Sequence, residues 1–210
     1  MPHKMHHARA GFSLVEILAA LGIVAILVTI LYPVIGNVIT RSKIVETQSN
    51  MRQIAQSIDL YVIDHKGVYL SVGLGRNEED PTKARTPWVQ EMWAYIYPDR
   101  QWPGWAPADL DGTLFHSPFV DDTNAGARSY GMNVILEINH ADRRYQYLPN
   151  PAAVALLGDV MTSSEFRPPQ VNPRNDGKVS IVYLTGNVEL LLPEDVPATA
   201  SDTFWNGGAL

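Results

Sequence analysis

Between Phe12 and Ile35 the chain carries a single charged side chain, Glu16. Leu14, Ile17, Leu18, Leu21, Ile23, Val24, Ile26, Leu27 and Leu31 leave no polar face, the pattern of a helix buried in lipid or in a protein bundle. The run has the length that spans a bilayer core, ~20 residues. Gly22 and the paired alanines offer small surfaces where helices can approach closely. After Gly36 the pattern turns amphipathic. Ile44, Met51, Ile54, Ile58 and Tyr61 recur at helical spacing, with Arg41, Lys43, Glu46, Gln48, Arg52 and Gln53 on other faces. The two patterns together predict one helix from Phe12 to about Asp64, roughly 80 Å long. His65-Lys66-Gly67 is its predicted stop. Pro33 is expected to kink or locally melt it, because proline removes a backbone donor and crowds the preceding turn. A plain end to the membrane span at Pro33 fits the residues equally well.

Periodicity is weaker beyond residue 65. Asn77 to Pro87 is polar and predicts a surface loop. Thr86 to Tyr97 predicts a short helix with Thr86 as cap, Pro87 at its first position, and Val89, Met92, Trp93 and Ile96 inward. Ala153 to Asp159 predicts a buried strand. Lys178–Leu184 and Asn187–Leu192 predict a hairpin turning at Thr185-Gly186. The fold class is therefore α+β, a long N-terminal helix packed against a small antiparallel sheet. The expected divisions are 1–11, a leader; 12–35, a membrane or filament-core helix; 36–65, an amphipathic spine; and 66–210, a globular head.

Composition narrows the function. The chain has 210 residues, a net charge of −6 and no cysteine. The acidic balance argues against a nucleic-acid partner, which calls for a basic face. Disulfides and thiolate metal sites are excluded. The leader holds Lys4, Arg9, His3, His6 and His7 with no acid, a positive flank that keeps the N-terminus cytoplasmic and exports the chain beyond the apolar run. That run is longer than a signal-peptide core and no Ala-x-Ala site closes it, so processing is expected before it, at Gly11-Phe12. Glu16 demands its own explanation, since a carboxylate in hydrocarbon is costly without a counter-charge.

Gly11-Phe12-Ser13-Leu14-Val15-Glu16 resembles the class III signal of type IV pilins and type II secretion pseudopilins. The resemblance implies cleavage after Gly11 by a prepilin peptidase and methylation of the new N-terminal Phe12. It implies that Glu16 pairs with the Phe12 amine of a neighbouring subunit, and that filaments melt a short helical segment around Pro33. The implied partners are other copies or homologous pilin subunits, an inner-membrane assembly platform and membrane lipid before assembly. No cofactor and no metal are implied. The implied location is the inner membrane, crossed once, with the head periplasmic or on a surface filament. An ordinary signal anchor is the competing reading.

The head is similar to a bacterial pilin-like subgroup with a His, nine-residue gap, Asp-Gly signature. Tyr61 to Asp64, Trp88 to Tyr97, Ser117-Pro118 and Ser129 to Asn133 match its order of features. Ser117 stands where the subgroup has cysteine, Asn175 where it has the histidine, and Thr185 where it has the aspartate, with Gly186 kept.

Asp109-Leu110-Asp111-Gly112, with Asp121-Asp122 close behind, resembles part of a calcium loop but lacks a closing glutamate. Trp102 and Trp105 could meet a sugar or pack beneath a loop. His65, His116 and His140 accompany no nucleophile elbow, phosphate loop or paired-carboxylate motif, so no enzyme is expected. The favoured reading is a structural filament subunit. The alternatives are a minor (tip) pilin or membrane-anchored binding module for a sugar, protein or secreted substrate, and an anchored protein that never polymerises.

Overall fold

The computed structural model describes residues 13–73 and 85–208. Its longest element is a helix, α1, over Leu14–Asp64. The end of α1 is set by local backbone chemistry. Lys66 adopts φ 56° and Gly67 φ 84°. The Gly67 N–H returns to the Val62 carbonyl at 2.8 Å, and the Lys66 N–H reaches the Ile63 carbonyl at 3.4 Å. This is a Schellman closure in which the left-handed C′ position falls on Lys66, one residue before the glycine that the pattern nominated.

The chain divides into two compact units between Arg41 and Ser42. In the first, the apolar side chains of α1 are exposed throughout, as Leu14, Leu18, Leu21, Leu27 and Leu31 show. Thr29 and Thr40 donate their hydroxyls to the carbonyls of Ala25 and Gly36 in their own helix. Such back-bonding satisfies each hydroxyl within its own helix. In the single chain α1 is continuous through Pro33 and Gly36. A proline deletes only its own amide donor, and the flanking turns retain theirs.

The second unit is built on the C-terminal part of α1. Met51, Ile54, Ile58 and Tyr61 are buried as the stripe predicts, Ile44 is half-buried, and Thr47 and Ala55 join the buried face. A second helix, α2, covers Trp88–Ile96. Thr86 does not cap it. Pro87 is the cap residue, and its carbonyl accepts the N–H groups of Gln90 and Glu91 at 3.0 and 3.2 Å. Trp88, Val89, Met92 and Trp93 are buried, while Ile96 is half-buried. The Tyr61 hydroxyl donates to Glu91 at 2.5 Å and the Tyr95 hydroxyl to Asp64 at 2.7 Å, tying α2 to α1. Of the polar loop expected at Asn77 to Pro87, residues 77–84 lie outside the described residues.

Five strands complete the head: β1 (Tyr130–Asn133), β2 (Ala155–Asp159), β3 (Glu165–Phe166), β4 (Val179–Tyr183) and β5 (Val188–Leu191). Their spatial order is β3-β1-β2-β4-β5. The β1/β2, β2/β4 and β4/β5 pairs are antiparallel, as the α+β reading expects, and the two-residue β3 lies parallel to β1 at one edge. Gly131 is what lets β3 approach. A Cβ there would fall 2.6 Å from Val160 and 2.8 Å from the Glu165–Phe166 backbone. The predicted hairpin is β4–β5, turned at Gly186 with φ 78°.

The inner strands β1 and β2 are buried on both faces. One face joins Val182, Leu156 and Met132 to Met51, Ile54 and Ile58 of α1. The element between β1 and β2, α3 (Val134–Asn139), is capped by Asn133. A C-terminal turn of helix, α4 (Thr203–Asn206), covers the other face, with Phe204 and Trp205 packed over Val179, Ile181 and Phe166. Asn133 Oδ1 accepts the N–H groups of Ile135 and Leu136, and its Nδ2 donates to the Ala155 and Trp205 carbonyls at 2.7 and 2.9 Å. One buried amide thus joins β1, α3, β2 and α4.

Candidate processing and assembly site

The charged group of the apolar run sits in the first turn of α1. Glu16 accepts the Ser13 backbone N–H on its carboxylate at 2.8 Å, and the Ser13 hydroxyl accepts the Glu16 N–H at 3.2 Å. This reciprocal pair is a capping box, which satisfies two of the orphan donors at a helix start and sets a negative charge against the positive end of the helix dipole. Sequence reading gave Ser13 no role. Its signal was present nonetheless, as a serine three residues before a glutamate.

Gly11 and Phe12, the expected cleavage and methylation pair, lie outside the described residues, as do the leader histidines. The apolar side chains after Ser13 are open to the surroundings, with Val15 73 % exposed beside the capping box. A Cβ placed on Gly22 or Gly36 would meet nothing within 4 Å, so both leave room for another helix to come close. Among the described residues one helix, α1, is long and apolar enough to cross a membrane.

Of the acidic and histidine residues singled out in the head, His116, Asp111 and Asp122 come together, while Asp109 and Asp121 stay within their own turns. Asp109 accepts the Ala106 N–H at 3.1 Å and Asp111 the Gly112 N–H at 2.9 Å, each within its own turn. Thr123 donates both its hydroxyl and its N–H to Asp121, which holds that carboxyl below the usual range. His116 lies 2.8 Å from Asp122 and 3.6 Å from Asp111. Among the described residues no group of three or more His, Cys, Asp or Glu side chains converges as metal ligands would.

Trp102 and Trp105 are half-buried and stack edge-to-face, with centroids 4.9 Å apart. Trp102 also meets Trp93 of the core, and the Arg128 guanidinium covers Trp105. His65 stacks on Tyr61, and His140 bonds the Asn206 carbonyl at 2.8 Å. Ser117, at the position of the subgroup's cysteine, is buried against the Thr47 hydroxyl at 3.3 Å.

Residues 6–32 match a family described as the prokaryotic N-terminal methylation motif. The chain carries a type IV pilin-like prepilin signal, and Gly11, Phe12 and Glu16 fall within the matched stretch. No curated protein and no solved structure matches the chain.

Proposed function

We propose that this chain is a structural, non-enzymatic subunit of a type IV pilus-like filament or a type II secretion pseudopilus. A prepilin peptidase trims it after Gly11 and the new Phe12 terminus is methylated. Until assembly it rests in the inner membrane, its N-terminus cytoplasmic and its head on the far side. An inner-membrane platform then draws it into contact with other copies or homologous subunits, and bending at Pro33 helps the helices fit together.

The observation that carries this reading is the methylation motif leading directly into the apolar part of α1, with Glu16 as the one charge from Phe12 to Ile35. That charge supplies the chemistry of assembly. A freed α-amino group about 4 Å from a carboxylate gains roughly 4 kcal/mol at an effective dielectric near 20. Either charge alone in an apolar surround costs several kcal/mol. Two subunits that each bring one amine and one carboxylate therefore fit best in the register that pairs them.

The test is the intact mass and N-terminal peptide of the protein from sheared surface material and from membranes. The expected result is a chain beginning at N-methylated Phe12 in the sheared fraction. An unprocessed chain beginning at Met1, confined to membranes, would overturn the proposal.

A further inference from the structure

Deep in the head, four buried polar side-chain atoms on three neighbouring residues have no hydrogen-bond partner among the described residues: Asp159 Oδ1, Asn175 Oδ1, and Nε and Nη1 of Arg174. Asp159 ends β2, opposite Tyr130 of β1, and is fully buried, as are Asn175 and Ser180. Asp159 Oδ2 accepts the Ser180 N–H at 2.6 Å and also accepts from Asn175 Nδ2. Asn175 Nδ2 donates its other hydrogen to the Ser180 hydroxyl at 2.8 Å. Both hydrogens of the amide and one carboxylate oxygen are thereby engaged. What remains on each residue is an acceptor. Two buried acceptors on a carboxyl and an amide that already share one hydrogen bond are both satisfied by a single proton.

We propose that Asp159 and Asn175 form a proton-binding site in the head, the Asp159 carboxyl taking up a proton on Oδ1 and donating it to Asn175 Oδ1. The proton comes from solvent, one O–H bond forms, and the pair becomes a closed acid–amide ring with two hydrogen bonds. The carboxyl loses its charge, which is the state a fully buried acid favours.

The surrounding groups fit this reading. From the loop before β4, Arg174 is the nearby cation, but its Nη2 is engaged by the carbonyls of Arg128 and Val160 and not by the carboxylate. From β1 the facing titratable group is the buried phenol of Tyr130, which burial pushes well above its ordinary range. From β4 the facing groups are the Ser180 N–H and hydroxyl, and Lys178 is exposed. Burial pushes the Asp159 carboxyl up to about 6, against the pull of Arg174 and the Ser180 and Asn175 donors. A raised carboxyl binds its proton more tightly folded than unfolded. Its stabilisation is full below the ordinary value of 3.8 and is lost as pH rises through about 6.

The test is urea unfolding of the full chain in nonionic detergent, followed by tryptophan fluorescence, in wild type and Asp159→Asn. Asparagine at 159 mimics the protonated acid, with a carbonyl acceptor and an N–H donor in place of the O–H, and adds one further N–H. Between about pH 5 and about pH 7.5 the wild-type folding constant is expected to fall roughly tenfold relative to the variant's. At the higher pH the variant is the more stable of the two. A variant less stable than wild type at both pH values, with a constant ratio, overturns the proposal and indicates a carboxylate kept ionised by Arg174 through internal water. Should the variant not fold, the carboxyl ¹³C resonance of Asp159 in wild type decides. A titration midpoint above about 4.5 supports the site, and one at or below it overturns it.

Discussion

The Glu16 carboxylate and the Ser13 N–H are 2.8 Å apart, so the residue proposed to pair with a neighbouring subunit already has a partner within its own helix. A carboxylate has two oxygens and about four acceptor positions. Capping Ser13 therefore leaves capacity for an amine, and the helix start holds the carboxylate in place for it. Ser13→Ala removes the hydroxyl but keeps the N–H that Glu16 accepts. It is expected to cost about 1 kcal/mol of local helix stability and to leave filament yield nearly unchanged. Glu16→Ala is expected to abolish sheared filaments while the chain is still exported to the membrane. Immunoblots of the sheared and membrane fractions of both variants separate these outcomes, and filaments from Glu16→Ala would contradict the pairing role.

Asn133 should be the most sensitive polar position in the head. Its removal strands the Ala155 and Trp205 carbonyls and uncaps α3. Asn133→Ala is expected to cost about 3 kcal/mol, since buried groups left without partners lose their full desolvation energy. Asn133→Asp keeps the cap acceptor, loses both donors and should be no better. Urea midpoints of the full chain in detergent measure both.

Gly158 and Phe166 form a size-matched pair. A Cβ at 158 would lie 2.2 Å from Phe166 Cζ. Phe166 is fully buried against Trp205, with ring centroids 4.8 Å apart, so its ring cannot move aside cheaply. Gly158→Ala is expected to cost about 2–3 kcal/mol from overpacking. Adding Phe166→Leu should recover part of that loss, giving a favourable coupling of at least about 0.5 kcal/mol in a double-mutant cycle. Additive losses would mean that the methyl is accommodated elsewhere.

At the end of α1, Lys66 holds a left-handed backbone that lysine adopts at a cost. Lys66→Gly is expected to stabilise the head by about 0.5–1 kcal/mol, because the strain relieved exceeds the entropy added to the unfolded chain. A lower urea midpoint in this variant would show that the lysine side chain contributes more than its backbone costs.

Much of this architecture was readable from local pattern. The stripe of Met51, Ile54, Ile58 and Tyr61, the stop at residues 65–67, the β4–β5 turn at Gly186 and the inward residues of α2 all depend on neighbours within a few positions. Strand β1 escaped as a strand because Tyr130-Gly131-Met132-Asn133 carries a glycine and an asparagine and no β-branched residue. Strand β3 is two residues long and exists through its pairing with β1. Thr86 resembled a cap, but the chain enters α2 one residue later, at Pro87.

What the sequence by itself determined is the N-terminal part: an apolar run, one acid within it, and the motif at residues 6–32. These are one-dimensional properties, because the membrane and the peptidase each read a continuous stretch of chain. What only the tertiary structure decided lies in the head. Asp159 meets Asn175, Asn133 meets Trp205 and Gly158 meets Phe166 across gaps of 16, 72 and 8 residues. Their chemistry depends on burial on both faces of a sheet, and burial is set by every element that packs around them.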